Sequence, residues 1–94
     1  MKTKYELLPP ESLEAVAQVL TLGESKHKDN SWLNGGVSWG SQFSGIMRHL
    51  WKWWSPFYPD TDEETGLSHL AHAGSRVLML IAQEHRKIGK DDRV

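Results

Sequence analysis

The stretch "TGLSHLAHAGSRVLMLIAQE", Thr65 to Glu84, decides the fold. Its apolar residues recur every three or four positions, the period of an α-helix. Leu67, Leu70, Ala71, Gly74, Val77, Leu78 and Ile81 form one stripe, which the periodicity predicts as the core face. His69, His72, Arg76 and Gln83 form another, with Met79 and Leu80 beside them, where a surface helix would carry lysine and glutamate. A helix that is apolar on more than one side is expected to have its polar stripe covered as well. The start is predicted between Thr61 and Gly66, because "TDEE" reads as a capping box while Gly66 argues for a later position. The end is predicted near Lys87.

Working outward, two further segments carry the same period. In "PPESLEAVAQVLTLG" the residues Leu13, Val16, Ala17 and Leu20 share a face, Pro9 and Pro10 suit a helix start, and Gly23 suits its end. In "SQFSGIMRHLWKWW" the residues Phe43, Ile46, Met47, Leu50 and Trp54 line up, with Arg48, His49 and Lys52 expected to face away from the core. The connector "ESKHKDNSWLNGGVSWGS" is rich in turn-forming residues and reads as a loop anchored by Trp32 and Trp39. The second connector, "SPFYPDTDEETG", has two prolines that break the helix before it, then delivers Asp60, Asp62, Glu63 and Glu64 beside the histidine helix. The tail "GKDDRV" is expected to fray. The reading is all-α, a small bundle of three main helices in one domain spanning residues 1–94.

Composition narrows the function classes. A chain of 94 residues buries only about 60–65% of its unfolded surface, so association into a homo-oligomer is expected to complete the core. Eleven Lys and Arg against twelve Asp and Glu give a formal charge of −1, without a long block of either sign, so no nucleic-acid polymer is expected as a partner. Zero cysteines exclude disulfides and thiolate metal sites. The start "MKTKYELLPPE" lacks an apolar signal region, and "VLMLIA" is far short of the roughly 20 residues of a membrane span. A cytoplasmic chain without a membrane partner is expected.

Several residues suggest chemistry. His69 and His72 are three apart, share a helix face, and can bind one cation with Asp62 or Glu64 supplying oxygen. The alternative is that they hydrogen-bond to neighbouring helices or to a partner subunit. Glu11 and Glu14 are also three apart and can hold magnesium, although two glutamates in a first turn are better explained by the helix dipole. Lys26, Arg48 and Arg76 lie near glycine, histidine or aromatic residues rather than in a charge run. They can bind phosphate or pair with the many acids. Five tryptophans are many for this length, and they suit core, subunit interface or stacking on a purine base.

The segments "YELLPPESLEAVAQVLTLGESKH", Trp32 and Gly35, "RHLWKWW" and "DEETGLSHLAHA", in this order, resemble the phage-encoded dATP/dGTP diphosphohydrolase N-terminal domain family over about Lys4 to Glu84. That family is similar to the all-α MazG-like pyrophosphatases, which use acidic helix residues and magnesium to split a nucleoside triphosphate. The resemblance places the family's shared polar residues at Lys26, Arg48, His49, Asp62, Glu64, His69 and His72. It implies catalytic roles for Glu64 and His72, and a metal site of Asp62, Glu64, His69 and His72 for Mg2+ or Mn2+. It also implies contacts to a purine nucleotide from Lys26, Trp32, Arg48 and His49, to which Arg76 is added as a candidate phosphate ligand by its position on the histidine stripe, in pockets between subunits in the host-cell cytoplasm. The chain departs from the family pattern at His27, at Ser31 and in "SPFYPD", and its Glu11 and Glu14 match only the first half of the paired acidic motif. Two functions follow: a metal-dependent pyrophosphohydrolase of purine deoxynucleoside triphosphates, or a non-catalytic protein that sequesters a cyclic nucleotide defence signal.

Overall fold

A proline at the first position of a helix loses no hydrogen bond and has its φ already set, and Pro10 opens the first helix in this way. The structure, a computed structural model, describes residues 1–26 and 36–93. After a 3-10 turn at Tyr5–Leu7, the helices are α1 (Pro10–Lys26), α2 (Trp39–Trp54) and α3 (His69–Arg86). No strand occurs among the described residues, where Thr61 and Ser68 form an isolated antiparallel bridge. No described helix is long and apolar enough to cross a membrane. The all-α expectation therefore holds, with three main helices.

Two boundaries differ from those expected. Gly23 does not end α1, because it keeps a negative φ and the helix continues to Lys26. The third helix starts at His69, later than Thr61 to Gly66. Ser68 is its N-cap and accepts a hydrogen bond from Leu70 N at 3.1 Å. Asp62 does not cap a helix. Its Oδ2 accepts from Glu64 N at 3.1 Å and Thr65 N at 3.0 Å, closing a turn in which Gly66 supplies a φ of 74°.

The tail also departs from expectation, because residues 87–93 dock on the start of α2. Lys87 ends α3 in the left-handed region, and the chain then runs back past Trp39. The Trp39 backbone N donates to Lys90 O and its indole Nε1 to Ile88 O, both at 2.9 Å. Asp92 accepts from Gly40 N at 2.7 Å, placing a carboxylate on the positive end of the α2 dipole. Ser38 caps the same end through Ser41 N. At the other end Ser55 is extended, as a residue before proline must be, and its N closes the last turn on Trp51 O.

The central element is α3, which packs against α2 on one side and α1 on the other. Gly74 makes the second contact close, since a Cβ there would meet Val16 Cγ2 at 3.2 Å. The faces turned inward take in only part of the apolar stripes, Ile46 on α2 and Ala71 on α3. On α2, Gln42, Gly45 and Ile46 are buried, while Phe43 is 58% and Trp54 75% exposed. On α3, His69, Ala71, Ala73, Ser75 and Gln83 are buried, while Leu70, Val77, Leu78 and Ile81 lie exposed. Among the described side chains of α1, Val19 is buried and Leu13 is exposed. Small residues let α2 and α3 approach closely, and the polar groups brought together there satisfy one another.

Candidate functional site

The polar seam between α2 and α3 is held first by amides. Gln42 Nε2 donates to Gln83 Oε1 at 3.1 Å, Gln83 Nε2 donates to Val37 O at 2.8 Å, and Arg76 Nη1 donates to Gln42 Oε1 at 3.1 Å. Gln42 and Gln83 are 1% and 0% exposed, so this chain replaces apolar packing at the centre of the interface. Neither amide was singled out as a site residue. Gln42 precedes His49 by seven residues and Gln83 follows Arg76 by seven, two helical turns in each case. Mid-helix amides in phase with the histidines were the available signal.

Toward the other end of the seam lie three imidazoles. His49 on α2 and His69 at the start of α3 face each other with their Nδ1 atoms 2.9 Å apart, so one of the pair carries the proton that the other accepts. His72 stacks on His49 with ring centres 4.6 Å apart and planes at 11°. The Nε2 of His72 is 2.7 Å from Thr65 Oγ1. His69 is 3% exposed and is fixed by its own backbone N, which donates to Asp60 O at 2.9 Å.

The turn at residues 60–67 brings one carboxylate to the histidines. One ligand atom each from His49, Asp62 and His69 fall within 4.8 Å of one another. Burial depresses the His49 pKa to about 4, with the positive charges of His72 and His69 acting in the same direction. Burial likewise lowers that of His72 against the pull of Asp62. Burial opposes ionisation of Asp62, but hydrogen bonds from Thr65 and the charge of His72 outweigh it and hold the carboxyl below its ordinary range. Burial, and then the charge of Arg48, lower the Arg76 pKa. Among the described residues neither guanidinium has a carboxylate ion-pair partner. Arg48 itself is exposed.

Of the residues expected from the sequence, His49, Asp62, His69, His72 and Arg76 come together, and Arg48 lies near enough to act on Arg76. His49 was expected to face away from the core and instead faces α3, because α2 turns its polar side inward. Glu64 is exposed, although its charge reaches His72. Glu11 and Glu14 sit on exposed α1 positions, with Glu14 bonded to Gln18. Lys26 closes α1 but its side chain, like all of Trp32, lies outside the described residues.

Beside the cluster runs an open groove of about 600 Å³, lined by Glu14, Gln18, Thr21 and Leu22 of α1 and by Thr65 and Leu67 of the turn. That volume is within the range of small-molecule sites, roughly 300–1,000 Å³. Thr65 belongs to both features, since it lines the groove and hydrogen-bonds His72. The arrangement joins a groove of suitable size to a cluster of three imidazoles and two guanidiniums, with the Asp62 carboxylate within it and Glu64 acting on it from an exposed position. Such a cluster suits an anion.

Comparison with known proteins gives a concordant picture. The family model described as dATP/dGTP diphosphohydrolase, N-terminal, matches residues 1–93. A protein of Salmonella phage PMBT28, named dATP/dGTP diphosphohydrolase, is 32% identical over 92 residues. The match covers 98% of this chain and 30% of that relative. No solved structure matches the chain.

Proposed function

The chain belongs to the dATP/dGTP diphosphohydrolase N-terminal family, and from that premise we propose that it binds a purine nucleotide through its phosphates and releases it uncleaved. The observation that carries this reading is the charge pattern of the cluster. Arg48 and Arg76 have no carboxylate partner among the described residues, the charge of Arg76 reaches His49 and His72, and Asp62 is the one acid in the metal-compatible group. Guanidiniums donate in a planar fork that matches phosphate oxygens. Lys26, at the end of the groove-lining helix, and Trp32 in the segment that follows are proposed to add a charge and a stacking surface. Pyrophosphohydrolysis through magnesium calls for several carboxylate oxygens around the ion, whereas the converging group supplies one carboxylate, from Asp62. The ligand class extends to cyclic purine nucleotides, whose phosphodiesters present the same oxygens, so sequestration of a defence signal remains within this reading.

A second reading, metal-dependent pyrophosphohydrolysis, is favoured by one observation: His49, Asp62 and His69 can hold a divalent cation. The test is incubation with dATP, dGTP and cyclic di- and trinucleotides, with and without Mg2+ or Mn2+, reading both retention and pyrophosphate release. Retention of intact nucleotide without metal is expected. Metal-dependent pyrophosphate release would replace the first reading with the second.

A further inference from the structure

The donor chemistry of the histidine cluster points away from a hard cation. Magnesium takes oxygen ligands in near-ideal octahedral geometry and sheds water reluctantly. Here two of the three converging ligand atoms are imidazole nitrogens, a set suited to zinc, nickel or cobalt.

We propose that His49, His69 and Asp62 form a divalent transition-metal site that clips α2 to the turn and to the start of α3.

The geometry is nearly formed. Metal–nitrogen bonds of about 2.0–2.1 Å place adjacent ligand nitrogens about 2.9 Å apart at octahedral angles and about 3.4 Å at tetrahedral ones, and the two Nδ1 atoms already lie at 2.9 Å. The ion takes the place of the proton between them, each Nδ1 then offering its lone pair to the metal. The Asp62 carboxylate is fixed in advance: Thr65 N, Thr65 Oγ1 and Glu64 N all donate to Oδ2, leaving Oδ1 for the cation. Such outer bonds orient a ligand before the metal arrives. His72 is a positioning residue, stacked on His49 and anchored to Thr65. Arg76 and Arg48 oppose an added positive charge, and Asp62 and Glu64 offset them. The site therefore gains in strength once a phosphate covers the arginines.

This inference does not depend on the proposed function, and its test contains no nucleotide. Untagged, metal-free protein is titrated with Ni2+, Zn2+, Co2+, Mn2+ and Mg2+ by calorimetry, with the visible absorption of Co2+ as a second readout. One saturable site per chain is expected, with affinity rising from Mn2+ through Co2+ to Ni2+ and no binding of Mg2+. His49→Gln and Asp62→Asn, checked for retained helicity by circular dichroism, are each expected to weaken binding at least about 10-fold. His85→Gln, at an exposed position in the last turn of α3, is expected to leave it unchanged. The proposal is overturned by the absence of saturable binding, by undiminished affinity in His49→Gln and Asp62→Asn, or by Mg2+ binding as tightly as Ni2+.

Discussion

The side chain of Arg76 lies across Gly45 of α2, filling the space that a Cβ at Gly45 would occupy, and from there its Nη1 reaches Gln42 Oε1 at 3.1 Å. A glycine in the middle of a helix is thus what allows a charged side chain to lie within the helix interface.

Two effects compete in Gly45→Ala. Helix propensity favours alanine by about 1 kcal/mol. Overpacking costs about 1–3 kcal/mol, and a displaced Arg76 leaves the Gln42 carbonyl unpaired at a further cost of about 1–3 kcal/mol. The net expectation is a loss of about 1–5 kcal/mol, measured by urea denaturation. A variant as stable as the parent would mean that the arginine finds an equivalent position.

Gln42→Ala removes the acceptor for Arg76 and the donor to Gln83 at once. Buried polar groups left without partners cost about 1–3 kcal/mol each, and truncation adds a cavity. A fall in melting temperature larger than for Gln18→Ala, on the exposed side of α1, is expected from thermal denaturation.

The metal-free protein is expected to lose stability on acidification. In the unfolded chain His49 takes up its proton near the ordinary value of 6.5, whereas in the fold burial, assisted by His72 and His69, delays this to about 4. Between these values the unfolded state binds more protons, so stability rises with pH across the window and falls as pH drops through it. His72 shifts in the same direction. Melting temperatures across this window should decline toward acid, and His49→Gln should flatten the slope.

Arg48→Ala and Lys26→Ala are expected to weaken nucleotide binding while leaving the melting temperature nearly unchanged. Arg48 is exposed, so its loss opens no cavity in the interface. One charge-assisted hydrogen bond is worth about 1.5–3 kcal/mol, or roughly 10- to 100-fold in affinity, which calorimetry resolves. Unchanged affinity in both variants would remove these cations from the site.

The exposed apolar faces of α2 and α3 are expected to be covered by further copies of the chain. Phe43, Leu50, Trp51 and Trp54 lie on one face, and Leu70, Val77, Leu78 and Ile81 on the other, together more apolar surface than a small monomer commonly leaves to water. Light scattering should give a mass above that of one 10.7 kDa chain. Trp54→Glu combined with Ile81→Glu should reduce it to a monomer without loss of helicity. A monomeric parent at micromolar concentration would contradict this.

Periodicity alone established that three segments are helical, because the spacing of apolar residues reports a backbone repeat whatever the surroundings. It also identified which side chains share a face: His69, His72, Arg76 and Gln83 do form one stripe. Pro10 and the Ser55–Pro56 step acted as local signals that tertiary structure did not override.

Which stripe turns inward was decided by the tertiary structure. Phe43, Leu50, Trp54, Leu70, Val77 and Ile81 read as core by hydropathy, yet within one chain they are left outside. Gly45, Ala71, Ala73 and Ser75 lie on buried faces, and at Gly45 the missing Cβ leaves room for Arg76 between α2 and α3. That proximity let Gln42, Arg76 and Gln83 satisfy one another, and brought His49 onto His69 and His72. A hydrophobic pattern records that a face needs covering, but it does not record whether another helix of the same chain or a second chain covers it. The meeting of His49 with His69 across 20 residues of sequence, and of Asp62 with both, likewise depended on a turn and a crossing that no local pattern encodes.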